Sequence, residues 1–96
     1  MAAPKKSKPK LSRVTFNVRA DPGSTVFLAG DFNQWDPAAK SMTDTKGTGD
    51  FSATLSLLPG QYEYKFVING SWCVDPTCAD WVQNKHGTLN SVRRIE

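Results

Sequence analysis

Ninety-six residues, 39% of them hydrophobic and 10% aromatic, suit one compact domain and leave too little chain for two. The formal charge of +3 is carried by the N-terminus: Lys5, Lys6, Lys8 and Lys10 stand in the first ten residues without an acid, and setting these four aside leaves −1 for residues 11–96. A near-neutral body argues against a specific nucleic-acid reader, which would carry its basic residues on the folded surface.

No apolar run approaches the roughly 20 residues of a membrane helix, and no apolar stretch follows the basic N-terminus as in a secretory signal. The expectation is a cytoplasmic protein with no membrane partner. Residues 1–11, rich in Lys and Pro, bury too little apolar area to offset their ordering entropy and read as a disordered tail. Residues 12–96 read as a single folded domain.

From residue 12 the hydrophobic period is two. Val14, Phe16 and Val18 alternate with Arg13, Thr15, Asn17 and Arg19, the pattern of a half-buried strand that Asp21-Pro22-Gly23 ends. Thr25–Ala29 is a short apolar run and predicts a more buried strand. Asp31 to Pro37 is a loop dense in turn formers, with Phe32 as its anchor in the core and Trp35 exposed. Pro37 to Lys40 is long enough for one helical turn. Phe51, Ala53, Leu55 and Leu57 mark a third strand, Pro59-Gly60 a turn, and Tyr62, Tyr64, Phe66 and Ile68 a fourth strand. Short strands separated by turn signals predict an all-β, immunoglobulin-like β-sandwich of about seven to eight antiparallel strands.

Asn69-Gly70 between apolar strands signals a two-residue hairpin, because a type I′ turn needs positive φ at both positions. The register follows: Ile68 opposite Ser71, Val67 opposite Trp72, Phe66 opposite Cys73. If Tyr64 and Phe66 face the core, then Glu63, Lys65, Val67 and Trp72 face outward and Cys73 inward. The alternative is a bulge that turns Trp72 into the core. Trp81 is expected to pack on the sandwich edge. Two cysteines and one histidine fall short of a structural zinc set, and a cytoplasmic setting favours reduced thiols over a local disulfide. No metal or other cofactor is expected.

Two exposed tryptophans beside a lysine fit a sugar. A pyranose presents C–H groups on its face, which match a flat ring, and hydroxyls on its rim, which match Lys and Asn. Each stack contributes on the order of 1 kcal/mol beyond burial, by analogy with aromatic pairs.

The sequence resembles carbohydrate-binding module family 48, which includes the glycogen-binding domain of AMP-activated protein kinase β subunits and the N-terminal domains of isoamylases and branching enzymes. The resemblance runs from about residue 13 to 96. It rests on Val26-Phe27-Leu28-Ala29-Gly30-Asp31-Phe32-Asn33-Gln34-Trp35, on Pro59-Gly60-Gln61-Tyr62-Glu63-Tyr64-Lys65-Phe66, on Val67-Ile68-Asn69-Gly70-Ser71-Trp72 with Val74-Asp75-Pro76, and on Gly87-Thr88-Leu89-Asn90. It implies that Trp35 and Trp72 are stacking platforms, that Lys65 binds hydroxyls, and that Thr88 and Asn90 make polar contacts. One position departs. Where the kinase β subunits place a leucine before the Gly-Thr pair, this chain has His86, which either packs on sugar or stands in solvent as a loop histidine.

The expected function is therefore non-catalytic binding of α-glucan chains such as glycogen, starch or maltooligosaccharides, by a free-standing copy of the module. A glycogen-metabolising enzyme is the expected protein partner. The alternative is an adaptor that docks on a partner enzyme through the same tryptophans. An enzyme is not expected: glycoside hydrolysis needs two carboxylates across a cleft, and Asp31, Asp36, Asp75 and Asp80 all sit in turn-forming contexts.

Overall fold

The computed structural model describes residues 10–96. Most of the expected tail lies outside the described residues; Lys10 and Leu11 are exposed and precede the first strand. Seven strands follow: β1 (Ser12–Arg19), β2 (Val26–Gly30), β3 (Asp50–Leu57), β4 (Gly60–Ile68), β5 (Ser71–Cys73), β6 (Trp81–Gln83) and β7 (Leu89–Ile95). A single 3-10 turn, Asp31–Asn33, follows β2. The segment from Pro37 to Lys40 forms turns rather than a helix, with Asp36 accepting the backbone N–H of Ala38 at 2.9 Å. Pro37 and an Asx turn compete there with helical hydrogen bonding.

The strands form two antiparallel sheets, as the period-two pattern predicts. One is the β1–β3 pair; the other runs β2-β4-β7-β6, with β5 also paired to β4. β4 organises the larger sheet. Its outer half pairs with β2 on one side and β5 on the other, while its first half carries β7 on the β5 side. Between the sheets lie Val14, Phe16 and Val18 of β1, Phe51, Ala53 and Leu57 of β3, Val26 and Leu28 of β2, and Tyr64 and Phe66 of β4. Phe16 is the centre of an aromatic cluster, with its ring 4.8 Å from Tyr64 and 5.6 Å from Phe32. The Arg93 guanidinium covers the same ring at 5.1 Å, so an inward-facing cation of β7 is accommodated by its stacking plane.

One side of the sandwich is closed by a segment that shows no strand pattern in sequence. Leu28 donates to the Lys40 carbonyl and Met42 to that of Val26, while Thr43 and Ser52 exchange backbone hydrogen bonds. The chain thus crosses from β2 to β3 and buries Met42 on the way.

The hairpin has the predicted register: Phe66 opposite Cys73, Val67 opposite Trp72, Ile68 opposite Ser71. Asn69 and Gly70 have φ of 50° and 86°, the left-handed pair a type I′ turn requires. Asn69 also ties the turn to the start of β2, its carboxamide oxygen accepting Thr25 N–H at 2.9 Å. Two expectations are corrected. Cys73 points inward as expected but is only half-buried, because β5 lies at the end of the sheet, and both cysteines are free. Trp81 does not pack on the sandwich edge. It is 60% exposed, on the last strand of the larger sheet. Among the described residues no helix is long and apolar enough to cross a membrane.

Behind β7 a buried polar knot fixes the chain leaving the hairpin. Tyr64 donates its hydroxyl to Asp75 at 2.7 Å, and Asp75 N–H donates to Ser91 Oγ at 2.8 Å. The second Asp75 oxygen accepts both the backbone N–H and the hydroxyl of Thr77. Burial, reinforced by the Asp75 carboxylate, pushes the Tyr64 phenol well above its ordinary range. The folded state then holds a proton that the unfolded chain releases near pH 10. The contribution of Tyr64 to stability is therefore constant below that pH and falls as pH rises above it. Urea unfolding from pH 7 to 11 is expected to show this decline. Tyr64→Phe should flatten it while costing about 1–3 kcal/mol at pH 7, because Asp75 loses a buried donor.

Candidate functional site

The outward face of the large sheet follows from the pleat. Glu63, Lys65 and Val67 of β4 share it with Trp72 of β5 and with Asn90 and Val92 of β7. Val67, expected to face outward, does so, yet it is only 5% exposed. It stands between its cross-strand neighbours Phe27 and Trp72. Trp72 in turn keeps nearly half of its surface in solvent.

Trp35 reaches this face from the loop after β2. Gly30 is the reason the loop can leave the sheet so closely: a Cβ there would sit 2.6 Å from the Glu63 carbonyl and 2.8 Å from the Phe32 ring. The Asn33 carboxamide then fastens the turn, accepting Gly30 N–H at 3.0 Å and donating to the Leu28 carbonyl at 2.9 Å. Gln34 and Trp35 follow with φ of 58° and 60°. The left-handed region is strained for side chains of this size and is held only where the surroundings dictate it. Here the surroundings are Asp31. One of its oxygens accepts the Trp35 indole N–H at 3.1 Å and the other the Glu63 backbone N–H at 2.8 Å. The ring is locked to β4 and half-buried. Its centroid lies 6.4 Å from that of Trp72, with the two planes inclined at 38°.

The polar side of the site comes from β4 and the β6–β7 hairpin. Lys65 donates to Thr88 Oγ1 at 3.1 Å, and Asn90 donates to Glu63 Oε1 at 2.9 Å. All six residues singled out from sequence, Trp35, Lys65, Trp72, His86, Thr88 and Asn90, line one open cleft of about 590 Å³. Within it Asn90 is buried, whereas His86 and Thr88 are exposed at the hairpin tip. Glu63, Asn84 and Lys85 complete the lining and were not singled out. Glu63 was legible, since it shares the face of Lys65 by alternation. Asn84 and Lys85 were not, because the turn that brings them there shows no periodicity.

Two inclined rings and a rim of side-chain donors and acceptors make a surface for a curved ligand with apolar faces and polar edges. The comparisons with known proteins give the family of the domain that carries this surface. Residues 13–96 match the family described as the glycogen recognition site of AMP-activated protein kinase. The chain belongs to this family. It is 31% identical over 94 residues to the 5'-AMP-activated protein kinase subunit beta-1 of Rattus norvegicus, covering 98% of this chain and 31% of the relative. The beta-2 subunit of Mus musculus is 34% identical over 74 residues, 77% of this chain and 26% of that one. The protein FLOURY ENDOSPERM 6, chloroplastic, of Oryza sativa subsp. japonica is 39% identical over 64 residues, covering 67% of this chain and 12% of the relative. The chain thus spans about a third, or less, of the length of these relatives.

This member of the glycogen-recognition family depends on Asp31 for the pose of Trp35. Asp31→Ala removes both acceptors and should lower stability by about 1–2 kcal/mol. It should also shift tryptophan emission to the red as the Trp35 ring moves into water. Emission spectra and urea midpoints of the two proteins check this.

Proposed function

We propose that this chain binds α-glucan chains without transforming them, stacking glucose rings on Trp35 and Trp72 and holding their rim hydroxyls with Lys65, Thr88 and Asn90. The observation that carries this reading is the pair of inclined indoles beside a polar arc in one open cleft. Successive glucose units of an α-1,4 chain turn relative to one another, so two platforms tilted by 38° suit it better than a flat ribbon. His86 stands on the rim as a further contact. The family's description, and the kinase subunits similar to this chain, support a glucan as the ligand.

Binding here is shallow. Two stacks of about 1 kcal/mol beyond burial and a few exposed hydrogen bonds correspond to micromolar to millimolar dissociation constants for a short oligosaccharide. A polymer with many chain ends compensates through repeated engagement. The folded domain acts as the glucan-binding unit, and the Lys-rich segment before it adds at most a salt-sensitive attraction.

The adaptor reading uses the same rings, but a protein interface does not require a lysine, a threonine and an asparagine linked beside them. Titration with maltoheptaose, followed by intrinsic tryptophan fluorescence, separates the two. Saturation is expected in wild type. Trp35→Ala and Trp72→Ala should each weaken binding about ten-fold, since a lost ring forfeits both stacking and burial. Trp81→Ala, away from the cleft, should bind as wild type. Silence up to tens of millimolar sugar, and with soluble glycogen, would sink the glucan reading and leave the tryptophan surface to a protein partner.

A further inference from the structure

The hydrogen bonds of the polar arc have a fixed direction, and Asn84 sets it. Its Oδ1 accepts two backbone N–H groups, those of His86 at 2.9 Å and Thr88 at 3.1 Å. A backbone N–H can only donate, so the carboxamide has one admissible orientation. Its Nδ2 must then be the donor on the other side, to Thr88 Oγ1 at 2.7 Å and to Asn90 Oδ1 at 3.0 Å. Asn90 is oriented in turn, with its own Nδ2 directed to Glu63 Oε1.

The consequence falls on Thr88. A hydroxyl has two lone pairs and one hydrogen. Both lone pairs of Thr88 are taken, one by Asn84 Nδ2 and one by Lys65 Nζ. Its hydrogen has no acceptor among the described residues and is left for the cleft. Lys65 has two further N–H bonds to offer, and Asn90 one. At the other end, Glu63 keeps an oxygen that only accepts.

We propose that Asn84 is the positioning residue that polarises this rim, so that Lys65, Thr88 and Asn90 offer donors and the site reads the oxygen lone pairs of its ligand, with an acceptor at Glu63. Ligand hydroxyls are thereby sorted. One that meets the arc must accept, and one at Glu63 must donate, which gives the bound chain a preferred direction across the platform. The inference deepens the glucan reading and rests on it for the identity of the ligand, but not for the wiring itself.

Asn84→Asp tests it. The side chain keeps its shape and one oxygen for the two backbone N–H groups, but its other oxygen cannot donate. Thr88 should turn its hydrogen inward, to the oxygen that replaces the Asn84 Nδ2. Maltoheptaose binding, measured by calorimetry, should weaken about ten-fold, the scale of one misdirected polar contact in a partly desolvated site. In a Thr88→Val background the same substitution should cost no more than about three-fold, because the hydroxyl it misdirects is gone. Melting temperatures within a few degrees of wild type would separate this from unfolding.

A ligand-free readout completes the test. In nuclear Overhauser spectra of the wild type, the Asn90 side-chain amide protons should lie against Glu63 and those of Asn84 against Thr88 and Asn90. Equal losses in both backgrounds would overturn the proposal, as would Asn90 amide protons already facing Asn84 in the wild type. If the wild type shows the expected amide pattern yet binds no maltoheptaose, the wiring stands and the glucan reading falls.

Discussion

The alternation of β4 is the constraint from which both the core and the cleft derive. Tyr64 and Phe66 point between the sheets, while Glu63, Lys65 and Val67 point the other way. A slip of one residue would exchange the two sets, placing a lysine and a glutamate in the core. Two features hold the register. The Asn69-Gly70 turn fixes β5 against β4, and the Tyr64–Asp75–Ser91 knot fixes the chain beyond β5 against β7. The hydrophobic burial that stabilises the fold is therefore the same event that brings Lys65 beside Trp72.

Rigidity on the cleft side is obtained differently. Trp35 sits on a loop, where mobility is the default, and its backbone adopts a left-handed conformation that an isolated chain would leave. Asp31 and Asn33 compensate with four hydrogen bonds, three that join the loop to β2 and β4 and one that holds the indole. The β6–β7 hairpin is held from within by Asn84. A weak, repetitive ligand gains most from such preorganisation, because little side-chain entropy remains to be lost when it binds. The site is shallow but already shaped.

The surface opposite the cleft contributes nothing of this kind. Trp81 stands exposed on β6, the last strand of the larger sheet. Its exposure shows the limit of counting tryptophans. Three such residues occur in the sequence, and only their strand and loop positions distinguish the two that converge from the one that does not. The match to the glycogen-recognition family runs through the described sandwich from residue 13 to 96.

The sequence by itself determined β1 to β4, the hairpin that carries β5, and the faces of these strands. Period-two alternation records which side of each pleat is buried, and the Asn-Gly turn records the register of one hairpin, so Lys65, Val67 and Trp72 could be placed together without coordinates. Gly87-Thr88-Leu89-Asn90 could be assigned only through resemblance, because a loop carries no period. Tertiary structure alone decided the rest. Asp31 and Glu63 are 32 residues apart, and Asn90 and Glu63 are 27 apart; a hydrogen bond across such separations leaves no mark on local composition. The burial of Val67 between Phe27 and Trp72, the exposure of Trp81 and the burial of Met42 on the crossing segment follow from tertiary packing that no local pattern records. The direction of the rim's hydrogen bonds depends on two backbone N–H groups that only the folded hairpin turns toward Asn84.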